Sequence, residues 1–344
     1  MQSQAAVFKE TSSPLAIQTI EVPQPAAGQL LLKVGACGIC GSDLHAVETG
    51  YVPADTVMGH EFSGEVVAIG PDIQDQWQLG ERVIAAPIMA CGDCPECLEG
   101  DLVSCRNGVL IGLDEKVSGA YAEYVVVQAV CAIRVPDHVS WEDAAIYEPL
   151  SVGLAAFRNA KVAAGESILV LGAGPIGISL IKWARYFGVN NIAVSEPEPV
   201  RRQRAGDAGA TALIDPGSCA DPAAEFERQT GCAPAVIFEC VGRPGILQNM
   251  INMAARRTRL VAVGTGMVPE EITVATAALK QLTLAFAFGW HLDDAAFVLE
   301  RIAANDIDTT GLVTASVSLQ QLPDMFEQLQ RPNTHCKVML VPAS

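Results

Sequence analysis

The chain has 344 residues, half of them apolar and 18% charged, a balance that describes a compact globular protein rather than a disordered one. That length exceeds what one hydrophobic core usually serves, so two domains are expected. The formal charge of -17 is spread along the sequence without runs of lysine or arginine, which argues against a nucleic-acid partner.

Lys9 and Glu10 interrupt the first twenty residues where a secretory leader needs an unbroken apolar centre. The most apolar long stretch, residues 167–184, carries glycines and a proline and reads as strand, turn and helix rather than as a membrane span. A cytoplasmic protein without a membrane partner is therefore expected. In such a compartment, eleven cysteines point to metal chemistry before disulfides.

Up to about residue 150, short β-rich runs at 30–34, 65–69, 82–86 and 122–127 are separated by Gly and Pro. Three groups of metal-ligand residue types lie among them. Gly38-Ile39-Cys40-Gly41-Ser42-Asp43-Leu44-His45 comes first, Gly59-His60-Glu61 second and Glu148-Pro149 third. Thiolate, imidazole and carboxylate are the ligands of an open catalytic zinc, although a lone His or Glu beside glycine is more often a turn or core residue. Between the second and third groups, Cys91, Cys94, Cys97 and Cys105 form a C-x2-C-x2-C-x7-C cluster. Four thiolates satisfy tetrahedral zinc completely, so this cluster reads as a structural site. The scattered Cys37, Cys131, Cys219, Cys232, Cys240 and Cys336 sit among apolar neighbours, and most of them are expected to be small core residues.

From residue 167 to about 288 the rhythm changes to apolar strands alternating with helices, with strands expected at 167–171, 191–195, 211–214, 236–239, 259–263 and 283–286. Helices are expected at 175–187, 199–206 and 245–253. This alternation implies right-handed βαβ units and a doubly wound parallel sheet. Gly172-Ala173-Gly174-Pro175-Ile176-Gly177 follows the first of these strands and opens a helix, the context in which G-x-G-x-x-G binds a dinucleotide pyrophosphate. Glu196, nineteen residues beyond Gly177, ends the next strand, where a carboxylate can accept both ribose hydroxyls and favour NAD over NADP. Arg201 and Arg202 lie close enough in sequence to keep NADP as the alternative. After Asp293 come two helical stretches and a last strand at 337–341 that can return to the first domain.

Taken together, these pieces resemble the medium-chain, zinc-containing alcohol dehydrogenase family over essentially the whole chain, in its sorbitol, butanediol and threonine dehydrogenase branch. The segment from Cys40 to His45, the run from Gly59 to Gly64, the four-cysteine loop and the turn from Gly172 to Gly177 match the family's motifs, and Glu148 with the residues after it matches the polyol branch. The resemblance implies an α/β protein with a GroES-like β-rich catalytic domain, residues 1–155 and 291–344, and a Rossmann domain, residues 156–290. It implies two zinc ions per chain and NAD. Cys40 and His60 are implied catalytic zinc ligands, Glu61 completes the protein set, and Glu148 binds zinc directly or holds its water.

The implied reaction moves a hydride between a secondary alcohol, a vicinal diol or polyol, and the nicotinamide, giving the ketone. Zinc acts as a Lewis acid, and Ser42 takes the proton and passes it by the nicotinamide ribose to His45 and solvent. A cleft between the domains would set the reacting geometry. Gly172, Gly174, Pro175, Ile176 and Gly177 are implied cofactor residues, together with Glu196, with Arg201 near the adenosine and Val263 near the nicotinamide. Residues 285–290 are conspicuously apolar, which favours a short diol or bulkier alcohol over a sugar alcohol, or else marks core or a subunit contact. Two other readings stand beside this one: a threonine-type amino-alcohol dehydrogenase, and a non-catalytic zinc- and nucleotide-binding protein. Relatives are commonly tetramers or dimers, so a homo-oligomer is expected.

Overall fold

In the computed structural model, which describes residues 1–342, the chain divides into two compact units. One is Met1–Glu148 with Trp290–Asn305 and the chain from Val313 onward; the other is Pro149–Gly289 with Asp306–Leu312.

The first unit opens with an antiparallel ribbon of β1 (Gln2–Val7) and β2 (Ala16–Glu21). β3 (Gln29–Gly38) follows, buried through Leu30, Leu31, Leu32, Val34, Ala36 and Cys37, and leads into α1 (Gly41–Glu48). β4 (Glu61–Ile69) pairs antiparallel with β3. Then come β5 (Arg82–Ala85), β6 (Ile88–Met89), α2 (Pro95–Leu98), β7 (Val109–Leu110), β8 (Tyr124–Gln128), β9 (Ala132–Arg134) and α3 (Trp141–Ala145). Both β3 and β4 reach further than the sequence indicated. The Cys40 and His60-Glu61 groups thus lie at strand ends, where backbone pairing fixes their spacing.

α4 (Tyr147–Ala160) leads to the second unit. There β10 (Ile168–Leu171), α5 (Pro175–Tyr186), β11 (Ile192–Ser195), α6 (Pro199–Asp207), β12 (Ala212–Ile214), α7 (Pro222–Thr230), β13 (Val236–Glu239), α8 (Ile246–Met253), β14 (Arg259–Ala262), α9 (Val274–Lys280) and β15 (Thr283–Phe286) alternate. The strands form one parallel sheet in the order β12-β11-β10-β13-β14-β15. This is the doubly wound order, with the switch point beside β10. Every residue of β10, β11 and β13 is buried, as a sheet covered on both faces demands. Proline opens α5, α6 and α7, where its missing N–H costs nothing, and the Asp221 side chain caps α7 by accepting from the N–H groups of Ala223 and Ala224.

The chain then adds α10 (Leu292–Ala303), β16 (Val313–Val317), α11 (Leu322–Leu329) and β17 (Lys337–Leu340). β16 was not visible in the sequence, because its residues are half-exposed and mostly small or polar. It matters as the outer partner of β17, which joins β3 on its other side in a seven-stranded sheet, with Met339 opposite Gly38. The last strand is thereby set against the end of β3. Of the scattered cysteines, Cys37, Cys131 and Cys336 are core residues as expected, whereas Cys219, Cys232 and Cys240 are only partly buried, on the less enclosed loops and helix ends of the second unit.

Candidate active site

The site is built where β3, β4 and β17 end together. Ile39, just past β3, donates its N–H to Val338 O of β17 at 2.9 Å, which fixes the chain immediately before Cys40. Cys40 is the N-cap of α1, so that helix presents Ser42, Asp43 and His45 beside it. Across the β3–β4 ladder Gly38 stands opposite Glu61, and His60 precedes Glu61 directly. The outcome is that ligand atoms of Cys40, His60 and Glu61 lie within 4.8 Å of one another. Gly38 is required there: a Cβ on it would sit 2.1 Å from Glu61 Oε2.

A buried polar network orients these groups. Asp43 is fully buried, and its Oδ2 accepts from the Tyr121 hydroxyl at 2.6 Å and from the Cys40 N–H at 3.2 Å. Its Oδ1 lies 3.2 Å from His60 Nδ1. Burial works against ionisation of Asp43, but the His60 ring, the Tyr121 hydroxyl and the Cys40 N–H prevail and hold its carboxyl below the usual range. A carboxylate on Nδ1 leaves Nε2 as the free imidazole nitrogen, the arrangement in which a histidine presents a lone pair to a metal. Ser42 Oγ stands 3.5 Å from that Nε2 and donates to Cys40 Sγ at 3.1 Å. His45 is half-buried on the last turn of α1.

Two glutamates complete the surroundings, each held by a donor from a late part of the chain. Glu61, 0% exposed, meets the ammonium of Lys337 at 2.7 Å through Oε1 and at 2.6 Å through Oε2. Glu148, on the first turn of α4, accepts from Trp290 Nε1 at 3.3 Å, and Trp290 packs edge-on against Tyr147. Burial first, and the neighbouring Glu61 second, push the Glu148 carboxyl up to about 7. Glu148 does not fall within the close Cys40, His60 and Glu61 group. A soft thiolate, an imidazole oriented by a carboxylate and a hard carboxylate fit zinc and leave a position open.

In the cysteine lobe the sulfurs of Cys91 and Cys97 lie 4.0 Å apart, those of Cys94 and Cys105 3.8 Å, and those of Cys105 and Cys91 3.5 Å. Four sulfurs at about 2.3 Å from one zinc in a tetrahedron would be about 3.8 Å apart, so the lobe fits the ion closely. All four are free thiols at separations far beyond a disulfide bond.

The second unit holds the glycine-rich turn. Gly172 adopts φ +96°, open to glycine, and a Cβ on Gly177 would lie 2.0 Å from Gly172 O, so each glycine is demanded by geometry. Gly174, Pro175 and Ile176 form the partly exposed N-terminus of α5, where unpaired N–H groups attract phosphate. The Arg201 guanidinium hangs over this turn, Nη2 being 3.2 Å from where a Cβ of Gly174 would stand, and its buried Nε has no hydrogen-bond partner among the described residues. Glu196 is 5% exposed and already engaged, accepting from Ala173 N–H at 2.8 Å and Glu198 N–H at 3.0 Å. It therefore braces the turn itself. Val263 is buried directly after β14. Phe286 and Phe288 are 68% and 74% exposed, so the apolar run at 285–290 is not core, apart from the buried Trp290.

Sequence reasoning missed Asp43, Tyr121, Trp290 and Lys337. Asp43 and Trp290 lay inside stretches already singled out, whereas Tyr121 and Lys337 carried no signal of a place in the site.

Two family models match the chain: the alcohol dehydrogenase GroES-like domain over residues 26–137 and the zinc-binding dehydrogenase domain over residues 175–304. Sorbitol dehydrogenase of Bacillus subtilis is 32% identical, over 99% of this chain and 98% of its own. The chain belongs to the zinc-binding alcohol dehydrogenase family. Among solved structures, 2R,3R-butanediol dehydrogenase from Bacillus subtilis is 30% identical with a TM-score of 0.87, covering 99% of this chain and 100% of its own. An alcohol dehydrogenase from Escherichia coli CFT073 complexed with NADH is 26% identical, with a TM-score of 0.88 over 99% of both chains. As a zinc-binding alcohol dehydrogenase, this chain is an oxidoreductase acting on alcohols. No helix among its described residues is long and apolar enough to cross a membrane.

Replacing Tyr121 by Phe leaves Asp43 Oδ2 short of one buried donor. Chemical denaturation should show a loss of about 1–3 kcal/mol, and an unchanged midpoint would contradict the network described.

Proposed function

We propose that this enzyme oxidises a secondary alcohol, a vicinal diol or polyol, to the ketone with NAD. The observation that carries the reading is the Ser42 hydroxyl set between Cys40 Sγ and His60 Nε2, at 3.1 and 3.5 Å, beside two buried glutamates. Cys40, His60 and Glu61 would hold the catalytic zinc, with Glu148 close by, and Cys91, Cys94, Cys97 and Cys105 the structural one. When bound there, zinc supplies a Lewis acid that brings an alcohol hydroxyl toward neutral pKa, and NAD supplies the hydride acceptor. Ser42 accepts the hydroxyl proton as its own passes on, and His45, half-buried on the same helix, delivers it to solvent. Asp43 and Tyr121 keep the His60 ring from turning.

The cofactor assignment takes Gly172, Gly174, Pro175, Ile176 and Gly177 as the pyrophosphate turn, with Val263 toward the nicotinamide and Arg201 toward the adenosine. Glu196 supports NAD in two ways. Its buried negative charge disfavours a 2′-phosphate, and its grip on Ala173 N–H fixes the turn. In domain terms, residues 1–155 and 291–344 are the catalytic part and 156–290 the cofactor part. The diol or polyol class is supported by Glu148, a carboxylate able to accept from a second hydroxyl, and by the sorbitol and butanediol dehydrogenases among the relatives.

A homo-oligomer is also supported. β15 is an edge strand of the parallel sheet, with Leu279, Phe286 and Phe288 more than two-thirds exposed near it. A monomer in sedimentation at micromolar concentration would overturn that part.

The function is tested with vicinal diols, sugar alcohols, threonine and simple secondary alcohols, each with NAD or NADP. A diol or polyol with NAD should give the highest kcat/KM, and Ser42→Ala should lower kcat by about 100- to 10,000-fold while leaving zinc content unchanged. Preference for threonine or NADP, or an Ser42→Ala variant of full activity, would contradict it.

A further inference from the structure

Lys337 is the least expected residue of the site. It opens β17, is 1% exposed, and donates both to Glu61 and, at 3.0 Å, to Ile39 O, the carbonyl immediately before Cys40. One ammonium therefore ties together three segments: the approach to Cys40, the start of β4 and the last strand. Burying a lysine is costly even when it is paired, and an apolar residue of similar size would fill the space without that cost. Glu61 has no need of it once a cation is present, because a metal beside Cys40 and His60 would itself pair with the carboxylate.

The placement is nevertheless specific. Both oxygens of Glu61 face the one ammonium, at 2.7 and 2.6 Å, and Gly38 leaves room for the carboxylate and for the lysine stem, whose Cδ would stand 3.1 Å from a Cβ at that position. The Met339–Gly38–Glu61 register across β17, β3 and β4 keeps the pair in place. With a divalent metal bound beside Cys40 and His60, two cations would share the one carboxylate. Sharing makes them antagonists: whatever the ammonium draws from Glu61 is withdrawn from the metal, and the coupling is reciprocal.

We propose that Lys337 is a positioning residue for the metal site, restraining Glu61 so that the site would release its divalent cation faster than its three ligands alone would. Lys337 touches neither substrate nor cofactor in this assignment; it acts through Glu61. A loosely held third ligand keeps a coordination position available for exchange, which suits an open site better than a closed one. The proposal rests on the reading that Cys40, His60 and Glu61 hold zinc.

The test is the rate at which purified, zinc-loaded protein releases zinc to excess chromophoric chelator. Cys40→Ala removes the active-site phase and Cys97→Ala the cysteine-lobe phase, so the two are assigned independently. Lys337→Met should slow the Cys40-dependent phase about tenfold or more without altering the other, and Lys337→Arg, which keeps a cation on Glu61, should release zinc as the unsubstituted protein does. The slowing should vanish in Glu61→Gln/Lys337→Met. Release from folded Lys337→Met at or above the original rate would overturn the proposal, as would slowing that survives Glu61→Gln. Should Lys337→Met not fold, Glu61→Gln and Glu61→Gln/Lys337→Met, the latter burying neither charge, should release zinc alike, and a tenfold difference between them would overturn it. Absence of any Cys40-dependent zinc in the unsubstituted protein would refute the underlying site assignment instead.

Discussion

A lysine and a glutamate, both almost completely buried, face each other where β17, β3 and β4 meet, and the first unit is organised around that pair. Neither charge tolerates burial alone, so the three strands must end in one register for either to be accommodated. That register in turn sets Cys40, His60 and Glu61 together. Around the pair, Asp43 and Tyr121 fix the imidazole, and Trp290 holds Glu148. The polar groups of the candidate site sit at strand ends and on the helices α1 and α4, stiff supports for side-chain placement.

The second unit solves a simpler problem. The candidate dinucleotide turn would need a backbone that closes tightly and N–H groups that stay free, and β10, Gly172, Gly177 and α5 have the geometry for both. Glu196 shows how one residue can brace that turn and set the local charge at once, since its carboxylate is spent on the N–H groups of Ala173 and Glu198 while its negative charge remains.

Legibility in the sequence followed the range of the interactions. The parallel sheet was readable because strands covered on both faces become unbroken apolar runs, and the glycine turn because close approach leaves only one residue type possible. The candidate metal ligands Cys40, His60 and Glu61 stood out as motifs, being near one another in the chain and of the right chemistry. Their supports were not, for each depends on a distant partner: Tyr121 lies 78 residues from Asp43, Trp290 142 from Glu148 and Lys337 276 from Glu61. A lysine at the head of an apolar strand looks like a solvated end until the sheet order is known. Likewise the run at 285–290 left a substrate wall, core and a subunit contact all open, and the exposure of Phe286 and Phe288 at the edge strand excludes core for those two rings.

In the proposed reaction, hydride passes directly from an alcohol carbon to the nicotinamide under the control of the Cys40 site. Mass spectrometry of the NADH formed from 2,3-butanediol deuterated at its carbinol carbons tests this most directly. One deuterium is expected in each NADH formed, with formation abolished in Cys40→Ala and after removal of zinc. NADH without deuterium, or deuterated NADH formed equally well by Cys40→Ala, would contradict it.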